Sequence, residues 1–381
     1  MLRKPLRRDV HEMPKKIMII TSSEWAGPYI RDNILGLSKG GYQIVYISLN
    51  GPLKIQLIAN NLVKDISNEF FYGDSVLGRI LKVYQTTKRE SPDLIQTHFF
   101  LAGLIGVLAG KLSRTSVILT RHHIDENYIS KKRKLYWIDR LSSVLATHIV
   151  VCSEAAKKWM VQVEKCKESK ITVINQGFFF PEIMVSNLEI SNIRPMLGFK
   201  EDSLNLICVC RYTPGKGHEL LLDAYEEVCT QIDDVNLVFI GHGNPDWLLT
   251  VVNKRGLEKH VKVLGQRDDI FTCILAADIV VHPSLVDSFS QLVIEAQYLG
   301  RAIVAFDIAA AREQILDGYS GFIVKPKDTR MMAKRIKKLH DDPSLLARMG
   351  KNGSQNVKNN FTHERMMSET IALFSEIMRS D

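Results

Sequence analysis

Apolar residues along the first half of the chain gather into short uninterrupted runs: "KKIMIITS", "YQIVYIS", "DLIQTH", "SVILTRH", "THIVVCSE" and "ITVINQG". Between several of them lie stretches of helical character, near 28–39, over "LAGLIGVLAGKL", and near 133–146. Strands that are apolar throughout, rather than at alternate positions, are buried on both faces, so the pattern predicts a parallel sheet covered by helices on either side. Residues 178–203 carry two prolines and no clear period, and are expected to be a linker. The alternation then resumes with "LNLICVCRY", "VNLVFIGHG", "VKVLGQ", "ADIVVHPS", "AIVAFD" and "GFIV", interleaved with helices near 217–230, 246–255 and 289–299. From about 328 the chain reads as mostly helical. The expected fold is α/β, with two doubly wound Rossmann-like domains in tandem. In such sheets ligands lie outside the carboxyl ends of the strands, which directs attention to the cleft between the domains.

Length agrees, since 381 residues exceed what one core usually organises. The six cysteines are scattered, without a C-x-x-C pair or zinc spacing, and are expected to be reduced thiols in a cytoplasmic protein. No apolar run is long enough to span a bilayer, and the basic start lacks an apolar signal core, so secretion is not expected. Charge sharpens the picture. Residues 1–180 hold 27 Lys and Arg against 15 Asp and Glu, whereas residues 181–381 hold 23 against 27. The basic first half suits an acidic substrate or an anionic membrane, with peripheral contact at its cytoplasmic face. Its densest cluster is Lys131, Lys132, Arg133 and Lys134, just before Tyr136 and Trp137. Two readings of those aromatics remain open, insertion at a membrane interface or packing into the core. Nucleic acid is not an expected partner, because no recognition module is visible.

The stretch "HPSLVDSFSQLVIEAQYLG" (282–300) raises a chemical question: Glu295 stands in an apolar run, where an ionised carboxylate is costly unless something binds it. Either a Lys or Arg pairs with it or a ligand does. Ser288 and Gln291 form an S-x-x-Q capping box that predicts a helix from Phe289, ended at Gly300. The N–H groups of Phe289, Ser290 and Gln291 would then offer a phosphate site, with Asp287 at the strand's carboxyl end and Glu295 placed to accept both hydroxyls of a ribose. A second constellation, "VCRYTPGKGHELL" (209–221), puts Arg211 at a strand end and Lys216 and Gly217 at a helix start. Two cations there suit a departing diphosphate. No Asp-x-Asp triplet occurs, so the expectation is neutralisation by side-chain cations, with no metal and no cofactor.

These motifs, with "GHGNP", "AADIVVHPS", "DLIQTHFFLAG", "LTRH", "ATHIVVCSE" and "VINQG", resemble glycosyltransferase family 4 over about residues 17 to 375. The resemblance implies a GT-B fold. An acceptor-side domain would occupy 1–185, completed by a C-terminal helix over 362–381, and a donor domain 186–361. It further implies a retaining transferase moving sugar from a nucleotide-diphosphate sugar, most simply a UDP-sugar, to a glycan or lipid-linked acceptor. Arg211 and Lys216 would hold the diphosphate, Glu295 the ribose and Asp287 the sugar, with His98 beside the sugar and His122 and the loop at Gly27 on the acceptor side. Two departures stand out: the family usually has Glu at the position of Asp287, and paired glycines where "SSEWAGPYI" offers only Gly27. The alternatives are a GT-B sugar-nucleotide epimerase and a binding protein that kept the donor pocket without turnover.

Overall fold

The computed structural model describes residues 15–22, 28–50, 66–71, 74–122, 133–180, 185–308 and 310–380. Two separate parallel sheets form. The first contains β1 (Lys16–Thr21), β2 (Gln43–Ser48), β3 (Ile66–Phe70), β4 (Leu94–His98), β5 (Val117–Arg121), β6 (His148–Val151) and β7 (Ile171–Val173), in the spatial order β3-β2-β1-β4-β5-β6-β7. The second contains β8 (Leu204–Val209), β9 (Val235–Ile240), β10 (Val261–Leu264), β11 (Ile279–His282), β12 (Ala302–Phe306) and β13 (Phe322–Val324), ordered β10-β9-β8-β11-β12-β13. The continuous apolar runs behave as expected: β4, β9, β11 and β12 are buried at every position, and helices cover both faces. Strand order reverses between β1 and β4 and again between β8 and β11, so each sheet opens a crevice at those carboxyl ends. His98 is the last residue of β4 and His282 the last of β11.

One expectation needs correction, and one segment holds elements that no apolar run announced. The segment between β2 and β4 holds an edge strand, β3, and a helix, Val76–Glu90. The supposed linker holds a helix, Asn187–Leu197, started by a reciprocal capping box between Ser186 and Glu189 and ended at Gly198 with φ +79°. The last helix, His363–Ser380, crosses back onto the first sheet's domain. Phe178 and Phe361 are joined by a backbone hydrogen bond of 3.0 Å, His363 Nε2 lies 2.8 Å from the Asp32 carbonyl, and Met366, Met367 and Phe374 pack into the core around β1 and β2.

The domains also touch through a carboxylate. Glu313, in the second, accepts the backbone N–H groups of Glu154 (2.9 Å) and Ala155 (3.0 Å) at the start of helix Glu154–Gln162. A negative charge there satisfies N–H groups that a helix start leaves unpaired. Beside it an apolar cluster joins Cys152 and Phe178 to Phe289, Ile294, Val357 and Phe361.

Candidate functional site

The site begins with a glycine. Gly217 has φ +73°, and a Cβ there would meet the Pro283 carbonyl oxygen at 1.9 Å. Only glycine lets the turn after β8 press against the loop after β11, where the Leu285 N–H donates to the Gly215 carbonyl at 2.7 Å. Two loops from adjacent strand ends are thereby locked together. Lys216 Nζ consequently reaches the Val286 carbonyl (3.0 Å) and Asp287 Oδ2 (3.1 Å), and His282 Nε2 stands 3.5 Å from the same carboxylate oxygen. Gly217→Ala should therefore separate the two loops, lower the melting temperature and disturb ligand binding in the cavity they form. Unchanged binding by calorimetry would contradict the locking role.

Burial alone would raise the Asp287 carboxyl, but His282 and then Lys216 outweigh it and hold it below its ordinary range. Asp287 is thus ionised at neutral pH. Glu295 is the opposite case: burial pushes its carboxyl up to about 7, opposed only by a hydrogen bond from Gln291 Nε2 at 2.6 Å. Among the described residues no Lys or Arg lies within ion-pair distance of Glu295, so the ion-pair reading of that position is not what the structure shows. Arg211, equally without a carboxylate partner among the described residues, is exposed at the end of β8.

These groups line one cavity of about 520 Å³. Its lining includes Arg211, Lys216, Asp287, Phe289, Ser290, Gln291 and Glu295, together with Gln266, Arg267 and Ile270. Arg267 is held in place by a two-pronged pair with Asp269 at 2.8 and 2.7 Å. Cys210, also in the wall, places its sulfur 3.2 Å from His218 Nε2 and 3.7 Å from Cys208 Sγ.

Not every expected residue falls here. Ser288 does not line the cavity and is not the helix N-cap: the helix starts at Gln291, and Ser290, its N-cap, makes no side-chain capping bond. Instead the side-chain amide of Gln314 pairs with the Ser290 backbone, accepting from its N–H at 3.0 Å and donating to its carbonyl at 2.8 Å. One of the three N–H groups expected to greet a phosphate is therefore already engaged. His98 and His122 do not line this cavity: they meet at the end of the first sheet, where His98 is fully buried and its Nδ1 lies 2.9 Å from His122 Nε2. Tyr29 meets both rings edge-on, and Phe99 stacks on His122. Burial carries His98 down to about 3, so it is a neutral imidazole, and its buried Nε2 has no partner. The two halves approach at Cys152. Its thiol lies 3.8 Å from the His122 carbonyl oxygen, and burial, with help from the Glu313 and Asp287 carboxylates of the other domain, pushes it up to about 12. Gly27 lies outside the described residues, as do Lys131 and Lys132. His282 and Gln314 were not singled out by the sequence. The only signal for His282 is its place at a strand end before Pro283, and Gln314 gives none.

The sequence profile for "Glycosyl transferases group 1" matches residues 189–356, and that for "Glycosyltransferase Family 4" matches residues 26–178. The chain belongs to glycosyltransferase family 4. It is 25% identical over 320 residues to the capsular polysaccharide biosynthesis glycosyltransferase CapM of Staphylococcus aureus, covering 80% of this chain and 82% of that one. A second relative, the UDP-Gal:alpha-D-GlcNAc-diphosphoundecaprenol alpha-1,3-galactosyltransferase of Escherichia coli, is 23% identical over 312 residues, covering 78% and 79%. Among solved structures, Anabaena HepE in complex with UDP superposes with a TM-score of 0.82 at 22% identity, over 95% of this chain and all of that one. The family 4 enzyme described here accordingly has the GT-B fold and is a glycosyltransferase. Among its described residues no cluster of His, Cys, Asp and Glu is arranged to hold a metal ion, and no helix is long and apolar enough to cross a membrane.

Proposed function

We propose that this glycosyltransferase moves a sugar from a UDP-sugar to a lipid-linked or glycan acceptor with retention of configuration. The observation that carries the reading is Glu295, a partly buried carboxylate without an ion-pair partner among the described residues, in the wall of a cavity that Lys216 and Arg211 also line. An acceptor and two cations in one cavity suit a ribose followed by a diphosphate. The sugar would lie at Asp287, which lines the same cavity beside His282. Uridine is favoured by the relatives, one named for UDP-Gal and another solved with UDP and UDP-glucose.

Among the described residues, the groups assigned nearest the sugar are poor candidates for the base that inversion requires. An inverting transfer needs a group that removes the acceptor proton, and His98, held near 3, is a very weak base at neutral pH. Asp287 is committed to Lys216 and His282. The departing phosphate oxygen is then the base within reach, and it serves the retained configuration because it leaves on the face where the acceptor arrives. Lys216 and Arg211 stabilise the charge that collects on the diphosphate, and closure of the cleft excludes competing water. A thermal-shift screen tests the donor. A ligand at 100 times its dissociation constant adds about 2.7 kcal/mol to the folded state, so UDP-sugars should raise the melting temperature more than GDP- or ADP-sugars. A larger effect from GDP-sugars would overturn the base assignment.

Glu295 also sets a pH dependence. Its carboxyl titrates near 7 in the free protein, above its unfolded value, so the stability it confers is present at low pH and is lost as pH rises through 7. Nucleotide binding has the opposite sign, because ribose hydroxyls donate to the ionised form. UDP affinity should fall as pH drops below 7, by up to about tenfold per unit, beyond the loss from the nucleotide's own protonation. Glu295→Gln isolates the effect: its affinity should follow the nucleotide's protonation alone. Parallel profiles for the two proteins would refute the assignment.

A further inference from the structure

All exposed large apolar side chains described between residues 15 and 180 fall on three helices, Val76–Glu90, Phe100–Ser113 and Arg133–Leu145. The middle helix packs against both of the others, so the three form one layer. On the third helix Trp137, Leu141 and Val144 lie four and three residues apart, on one side, and all point to solvent; Trp137 is 57% exposed. Leu77 (79%) and Leu81 repeat this one helix turn apart on the first helix, and Leu112 does so at the end of the middle one. Exposed apolar stripes on adjacent helices are not what a solvated surface shows. Their inward faces are already used: Val83 and the buried residues Ala102 to Val107 fill the core beneath. The aromatic at 137 has not turned inward.

Charge identifies what covers this face. The three helices carry eight Lys and Arg against two acids, Glu90 and Asp139, and both acids are occupied, Glu90 by Lys16 and Arg89 and Asp139 by Arg121. Arg140 lies over the Trp137 ring at 5.2 Å, and Lys111 and Arg114 flank Leu112 in sequence and are exposed. A face that is apolar at its centre, basic around it and free of unpaired carboxylates fits an interface of anionic lipid headgroups over acyl chains. We propose that this three-helix face docks the enzyme on an anionic bilayer, with Trp137, Leu141, Leu77 and Leu81 inserted among the lipids. This deepens the reading of a membrane-held acceptor and is tested separately from it.

The test is co-sedimentation with vesicles of phosphatidylcholine and phosphatidylglycerol in equal parts, against vesicles of phosphatidylcholine alone. The wild type should bind the mixed vesicles, lose that binding at high salt and leave the neutral vesicles largely unbound. Trp137→Ser with Leu141→Ser should weaken partitioning at least ~10-fold, the loss expected when two apolar side chains no longer insert, and Leu77→Ser with Leu81→Ser should act in the same direction. Because all four side chains are exposed, melting temperature and UDP affinity in solution should not change. Failure here with normal UDP binding removes the docking face and leaves the donor site standing, whereas loss of UDP binding in the wild type strikes the donor site. Vesicle binding that survives both double substitutions overturns the proposal. So does a wild type that is dimeric in solution and becomes monomeric on Trp137→Ser, since the face would then belong to a second copy of the chain.

Discussion

Lys216→Ala is expected to lower turnover by about 100-fold or more, or about 2.7 kcal/mol of transition-state stabilisation, while changing UDP affinity less than turnover. In the free enzyme Lys216 Nζ is held 3.1 Å from Asp287 and 3.0 Å from the Val286 carbonyl, on a turn fixed by Gly217. A cation fixed in advance loses little freedom when charge builds on the leaving diphosphate, which is why its effect should appear in kcat. Removing it also leaves Asp287 facing the cavity with only His282 beside it, so some further loss is expected from a carboxylate now poorly compensated near the sugar. Lys216→Arg keeps the charge, but its wider planar head does not fit the same two acceptors, and partial recovery is expected. Turnover within a few-fold of wild type at an unchanged melting temperature would contradict the assigned role.

The two carboxylates should fail in different ways. Glu295→Ala removes a contact made to the nucleotide both before and during reaction, so UDP and UDP-sugar should each bind more weakly by about 1.5–3 kcal/mol, the range for hydrogen bonds to a charged group. Because Glu295 is destabilised by its own burial, the substitution should not lower the melting temperature of the free protein. In the proposed arrangement Asp287 touches the sugar and not the nucleotide, so Asp287→Ala spares the nucleotide contacts. It also releases Lys216 from its ion pair, so UDP should bind as well as before or more tightly while transfer collapses. Calorimetric titration of both variants with UDP separates the cases. Equal weakening by the two substitutions would mean that the division between ribose and sugar is wrong.

Much of this was legible in the chain because parallel sheets write themselves as continuous apolar runs. The exceptions have physical reasons. The strand β3 reads "ISNEF", with three polar residues in the middle, as an edge strand can afford, and so it gives no run. The helix Val76–Glu90 leaves Val76, Leu77 and Leu81 exposed, and its buried side includes Thr86 and Thr87, so its apolar positions do not mark a core-facing stripe. In Asn187–Leu197 the capping box was plain at Ser186 and Glu189, but Pro195 and the exposed Leu188 and Met196 mask the helical period.

At the site, the residue types were visible and their pairings were not. Arg211, Lys216, Asp287 and Glu295 announce themselves as charges at strand ends or in apolar surroundings. That Lys216 and Asp287, 71 residues apart, meet in one ion pair depends on Gly217 packing against Pro283. The local signal at Ser288 misled for a related reason: Gln314 arrives from 24 residues away and takes over the backbone of Ser290, so tertiary pairing replaced a local cap.

The most direct test of the central claim is the nucleotide product. The purified enzyme is incubated with UDP-sugars and a membrane lipid extract as acceptor, and free UDP is measured alongside the fate of the sugar. UDP should appear only when donor and acceptor are both present, the sugar should move to the lipid fraction with its anomeric configuration kept, and Lys216→Ala should all but stop both. No UDP with any donor, or conversion of the donor to an epimer while the extract stays unlabelled, would contradict the assignment of this cavity to sugar transfer.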